Sequence, residues 1–255
     1  MAKLWRLIYD PPMSGEENMR RDMEILEEAA SGEAPPALRL YSWSPPALSI
    51  GRFQKAPEVA DLAACRRLGI DVVRRPTGGR AVLHDRELTY SLVIPDDRDL
   101  IPAGVVPAYC FISRALLDAF ASLGIEGKLS PEHKRGAGLA PGSCFDMPSA
   151  HELQVSGKKV VGSAQMRHKG MILQHGSILL ELPLQAYRQV LRLPAGCDEA
   201  DYLESLGRDA AGLLDLGYKI STEKLAGALA DAFARLFDVE WIKQDNRGAP
   251  LYREN

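Results

Sequence analysis

Cysteine, histidine and aromatic residues are all sparse in this chain, and each scarcity excludes something. The four cysteines, Cys65, Cys110, Cys144 and Cys197, lie far apart with no CxxC or zinc-type spacing, which argues against a metal knuckle or a disulfide framework. Of five histidines, His133, His151 and His168 form no recognisable ligand pair, and no Ser/His/Asp order stands out. No uninterrupted apolar stretch approaches the roughly 20 residues that span a bilayer. Met1–Arg6 lacks the apolar core of a secretory signal, so a reducing cytoplasm with free thiols is the expectation. Positive charge is not in surplus either. The net charge is −3 with no long Lys/Arg run, so neither nucleic acid nor a membrane is expected as a partner. What remains is a globular balance, 46% hydrophobic and 25% charged over 255 residues, enough for a core without metals or disulfides.

Patterning predicts the elements. Leu4–Tyr9 reads as a strand closed by Pro11-Pro12, and Ser14 with Glu17 is a capping box opening a helix that Gly32 stops. Short strands follow at Leu38–Trp43 and Ala47–Phe53, then a helix over Glu58–Leu68 ending at Gly69. Asp71–Arg75 extends into the turn Thr77-Gly78-Gly79-Arg80, and Ala81–Leu83 and Leu88–Ile94 are strands. Val105–Leu123 is a long helix, Ser130–Ser143 a Gly/Pro-rich loop, and Glu152–Leu182 a run of hairpins of one sheet. From about 184 the chain reads as helical, most clearly over Ser221–Phe237. Segregated hairpins and helices predict an α+β fold: one domain over 1–255 with a mixed or antiparallel sheet flanked by helices.

Several residues invite a chemical reading beside a plainer one. Cys144 ends the loop, where a nucleophile at a sheet edge or a small core hydrophobe would both fit. Cys65 and Cys110 fall inside helices and Cys197 in a polar stretch. Lys159 feeds the apolar run Val160-Val161, where an inward side chain would serve proton transfer, although a solvated turn lysine beside Lys158 fits as well. Gly162-Ser163-Ala164 would let a ligand approach the backbone, or two strands cross tightly. Gly78-Gly79 could aim N–H groups at an oxyanion or simply turn the chain. His84 and His175 are candidate binding residues or ordinary turn histidines.

Together these segments resemble a known superfamily. Arg74-Arg75-Pro76-Thr77-Gly78-Gly79-Arg80-Ala81-Val82-Leu83-His84-Asp85 is similar to the arginine–glycine signature of the lipoate/biotin-protein ligases. Lys159-Val160-Val161-Gly162-Ser163-Ala164 resembles their lysine motif, and His175-Gly176-Ser177-Ile178-Leu179 the strand that follows. Cys144-Phe145-Asp146 upstream of the lysine resembles the LipM-type octanoyltransferases, which are cysteine enzymes. Ala150-His151 departs from the aromatics that relatives often carry there, and the likeness weakens after Arg192. The resemblance implies a catalytic-domain fold of the ligase type and octanoyl transfer in lipoate biosynthesis, with no cofactor and no metal. The implied donor is octanoyl-acyl carrier protein and the implied acceptor a lipoyl-domain lysine, as in glycine cleavage protein H. It makes Cys144 the nucleophile, carrying a thioester, and Lys159 the acid/base. Substrate contacts fall to Arg75, Thr77, Gly78, Gly79, Arg80 and His84, with Gly162, Ser163, Ala164, His175 and Gly176. An ATP-dependent lipoate-protein ligase, an octanoyl amidotransferase between lipoyl-domain proteins, and a non-catalytic lipoyl-domain-binding protein share parts of this pattern.

Overall fold

The computed structural model describes residues 3–130, 152–193 and 196–245. The order is β1 (Lys3–Tyr9), α1 (Gly15–Ser31), β2 (Ala37–Tyr41), β3 (Ala47–Ile50), α2 (Ala56–Val59), α3 (Leu62–Leu68), β4 (Asp71–Arg74), β5 (Val82–His84) and β6 (Glu87–Pro95). Next come α4 (Val105–Ser122), β7 (Gly127–Leu129), β8 (Leu153–Val155), β9 (Lys158–Lys159), β10 (Val161–His168) and β11 (Met171–Leu179). The chain continues through α5 (Leu184–Val190), α6 (Glu199–Asp209), α7 (Thr222–Phe237) and β12 (Val239–Asp245). This is an α+β architecture.

Local signals set the helix ends. Ser14 and Glu17 form the capping box of α1, satisfying two N–H groups that the first turn leaves unpaired, and Gly32 at φ 78° takes the left-handed position beyond its end. Ser221 caps α7 by accepting from the Lys224 N–H. The helix expected over 58–68 is instead broken. Ala60 turns extended, the Asp61 N–H donates to the Val190 carbonyl, and the Asp61 side chain recaps α3 through Ala63 and Ala64.

Among the described residues three sheets form where one was expected. The main one has the order β10-β11-β6-β2-β1-β12, with small sheets β4-β3-β5 and β7-β8-β9 beside it. The helical C-terminal part also ends differently: β12 adds parallel to β1 at the sheet edge. Side-chain alternation gives the main sheet two apolar faces. Leu88, Tyr90, Leu92 and Ile94 pack with Ile112, Phe120, Leu229 and Phe233 of α4 and α7. On the other face Val93 and Leu173 meet Ile25 and Leu26 of α1. Burying each large apolar side chain contributes about 1.5–3 kcal/mol. By length and composition α4 could cross a membrane, yet Ala108, Ile112, Ala115, Leu116, Ala119 and Phe120 are buried in the main core. The small sheet β4-β3-β5 has its own core with Cys65, Val190 and Tyr187. The polar centre of the sheet's α1 side is left between the layers.

Candidate active site

A cavity opens at that polar centre. β10 and β11 supply one wall with Gly162, Ser163, Ala164, His175, Gly176 and Ser177. The opposite wall has Ser49, Arg75, Gly79, Val82 and His84 from the small sheet and its glycine turn. Met19, Tyr41, Trp43 and Thr89 complete it. Gly176 must be glycine, because a Cβ there would stand 2.3 Å from Ser163 Oγ and 2.6 Å from Tyr90 Cε1.

Two imidazoles face the cavity, and each is held between a carboxylate and a hydroxyl. His84 Nδ1 lies 2.9 Å from Glu87 Oε1 and Nε2 lies 2.8 Å from Ser49 Oγ. His175 Nδ1 lies 3.0 Å from Asp22 Oδ2 and Nε2 lies 2.8 Å from Thr77 Oγ1. A carboxylate accepts only, so in the neutral ring Nδ1–H donates to it and Nε2 accepts from the hydroxyl. The Trp43 indole stacks on His84 with ring centroids 4.0 Å apart. Its Nε1–H donates to Thr89, which donates to Glu87, so ring and wall are fixed together.

Behind His175 lies a fully buried ionic cluster. Arg39 donates to Asp22 at 2.8 Å, to Asp10 at 2.6 Å and to Asn18 Oδ1 at 2.7 Å, with its guanidinium 3.7 Å above the Tyr41 ring. Burial alone would raise the Asp22 pKa, but the bond from His175 and the Arg39 charge outweigh it and the carboxyl sits below its usual range. Burial pushes the Tyr41 phenol well up and that of Tyr90 up to about 12, so both stay neutral donors. Tyr41 donates to Asp22, while Tyr90 shares a 2.8 Å bond with Ser163 and accepts from Gln174. The lining is therefore rich in polar atoms bonded to one another. Ser177 Oγ is the exception: it is buried with no hydrogen-bond partner among the described residues.

The residues expected from sequence divide by position. Arg75, Gly79, His84, Gly162, Ser163, Ala164, His175 and Gly176 reach the cavity, and Thr77 stands behind it on His175. Gly78 and Arg80 do not line it; their carbonyls accept from the Arg75 guanidinium, which also reaches Ser49. Arg75 thus braces the glycine turn from within. Lys159 is inward-facing, 3% exposed, and ion-paired with buried Glu152, outside the lining. Its neighbour Lys158 is not simply solvated, since its Nζ donates to the Gly207 carbonyl at 2.6 Å. Cys144 lies outside the described residues. Of the described thiols, Cys65 is buried, Cys110 half-buried and Cys197 exposed, and burial pushes the first two up, away from the thiolate. Reasoning from sequence missed Met19, Tyr41, Trp43, Ser49, Thr89, Asp22 and Glu87; the Trp43/Pro45-Pro46 break and the His84–Glu87 spacing were the available signals. Among the described residues no His/Cys/Asp/Glu cluster could hold a metal ion.

Residues 14–234 match the family model of the lipoyl protein ligase A/B catalytic domain. Octanoyltransferase LipM of Kyrpidia tusciae is 43% identical over 235 residues, covering 90% of this chain and 86% of that one. The protein of the same name from Brevibacillus brevis is 41% identical over 242 residues, covering 92% and 88%. Lipoate-protein ligase A bound with ATP superposes with a TM-score of 0.73 at 23% identity, over 96% of this chain and 89% of that one. A bipartite lipoate protein ligase from Thermoplasma acidophilum gives 0.70 at 22%, over 95% and 86%. At those identities the two structures establish the fold alone.

Proposed function

The chain belongs to the lipoyl protein ligase A/B catalytic-domain family and is an acyltransferase of the octanoyltransferase LipM kind, acting in lipoate biosynthesis; from that premise we propose that it moves octanoyl from acyl carrier protein, through Cys144, to the lysine of a lipoyl-domain protein such as glycine cleavage protein H. The observation that carries this reading is the cavity lining. Its polar groups are paired with one another, so an aliphatic chain entering it strands few hydrogen-bonding groups. Gly162 and Ala164 leave it the width.

In the proposed first step the Cys144 thiolate attacks the thioester carbonyl. The carrier thiolate leaves and takes up a proton. In the second step the acceptor amine, as the free base, attacks the acyl-cysteine; the amide forms, Cys144 leaves as thiolate, and the amine's proton must be removed. Lys159 is proposed as the group that gives the first proton and takes the second. Its buried ion pair with Glu152 fixes the Nζ in place, and an ammonium there would give its proton first. Ser177 Oγ–H, unpaired in the lining, is suited to the carbonyl oxygen as negative charge develops there. A thioester is already activated, so none of these steps gains from a nucleotide.

The test is the mass of the acceptor protein in two mixtures. Octanoyl-acyl carrier protein without ATP or magnesium should modify it fully, with a hydroxylamine-labile octanoyl adduct mapping to Cys144 and absent in Cys144→Ala. If Cys144→Ala still modifies the acceptor from free octanoate and ATP, the chain is a ligase and the transferase reading fails.

A further inference from the structure

The segment that reaches the cavity at Arg75 and Gly79 has a charge that the chain as a whole does not. Between Arg52 and Arg80 stand seven Lys or Arg against three Asp or Glu, in a chain whose net charge is −3. The three acids are already used: Glu58 pairs with Lys55, Asp61 caps α3, and Asp71 accepts from the Gly15 N–H. Arg52, Arg66, Arg67 and Arg74 are exposed; among the described residues none forms a salt bridge, and Arg67 is attracted by Asp61. Next to Arg52, Phe53 is 86% exposed, with the Arg52 guanidinium 5.8 Å from its ring.

The loop carrying Phe53 is held rather than loose. Arg74 donates to the carbonyls of Gly51, Arg52 and Gln54, and the Arg52 N–H donates to the Thr77 carbonyl at 2.9 Å. Gly51 packs so closely on the glycine turn that a Cβ would fall 1.9 Å from the Gly79 carbonyl oxygen. Gly79 itself lines the cavity. An exposed aromatic flanked by arginines on a rigid loop is the composition of an interface hot spot, and here it stands beside the cavity.

We infer that Arg52 and Phe53 form the docking surface for an acidic face of the carrier protein that delivers the acyl thioester. The inference rests on the thioester-donor reading above. Charge complementarity favours an acidic partner and speeds its encounter, and Phe53 supplies the desolvated anchor.

The test compares two donors with the same acyl group: octanoyl-acyl carrier protein and octanoyl-pantetheine, which has the thioester and no protein. For Arg52→Glu/Phe53→Ala, kcat/KM with the carrier should fall about tenfold or more, and with octanoyl-pantetheine stay within about twofold. The wild-type rate with the carrier should also fall as salt rises, more steeply than that of the variant. An equal fall with both donors, or no fall with either, overturns the docking surface. A rise in KM for the lipoyl-domain acceptor alone assigns the loop to the acceptor and overturns it too. A wild-type enzyme active with octanoyl-pantetheine and inert with the carrier refutes the donor reading itself, before any variant is made, and the docking surface with it.

Discussion

Replacing Gly176 by alanine tests the tightest contact in the site. The new methyl would meet Ser163 Oγ at 2.3 Å and Tyr90 Cε1 at 2.6 Å. The serine hydroxyl can rotate away. The Tyr90 ring cannot, because it is fully buried against Phe233 and hydrogen-bonded to Gln174. Overpacking of this kind costs about 1–3 kcal/mol, and losing the Tyr90–Ser163 bond adds about 1 kcal/mol. At about 2–4 °C per kcal/mol for a chain of this size, melting should drop by roughly 4–16 °C. Gly227→Ala is the internal control. Gly227 lies inside α7 with nothing within 4 Å of the added methyl, so the gain in helix propensity of about 0.8–1 kcal/mol should raise melting by roughly 2–4 °C. Both are read by thermal unfolding under two-state conditions. A Gly176→Ala protein melting within about 1 °C of wild type would refute the claim that β10, β11 and β6 are locked together there.

Three further substitutions probe charged residues outside the lining. Asp22→Asn leaves Arg39 and His175 without their shared carboxylate and should cost about 3–5 kcal/mol in urea unfolding at neutral pH. Because the folded Asp22 pKa lies below its unfolded value of about 3.9, its contribution is full above that pH and fades as pH falls through the folded value. The gap between wild type and variant should therefore narrow below about pH 4, and a gap independent of pH would contradict the assignment. Lys159→Gln keeps a donor for Glu152 and should slow octanoyl transfer by about 10²–10⁴. Lys158→Ala should leave turnover near wild type and cost about 1 kcal/mol of stability through the lost Gly207 bond. Equal, small effects on transfer would return Lys159 to a purely structural ion pair.

What was legible in the sequence was whatever a few neighbouring residues decide. The caps of α1 and α7 and the stops at Gly32 and Gly69 depend on groups within one turn. The Arg75–His84 and Gly162–Gly176 segments were recognisable as motifs, and the structure brings them to one cavity. Partners distant in sequence were not legible. Nothing near His175 announces Asp22, 153 residues away. Trp43 enters the site only because β2 lies beside β6. β12 went unseen for a related reason: Val239–Asp245 mixes polar and apolar residues without strong alternation, and its strand character comes from pairing with β1. The break in 58–68 likewise follows from the Val190 carbonyl, a contact no local pattern encodes.

The pairing of the first strand with the last also sets the order in which the molecule can be finished. β1 leaves the ribosome long before its outer-edge partner Val239–Asp245, the last strand described. Trp241 gains its bond to the Ala230 carbonyl only then. Throughout synthesis the nascent chain therefore displays an open strand edge with an apolar flank, the arrangement most prone to pairing with a stranger. Closure is the most non-local contact in the sheet and is expected to come late. A chain stopped just after α7 would keep the cavity-forming segments and still leave that edge bare.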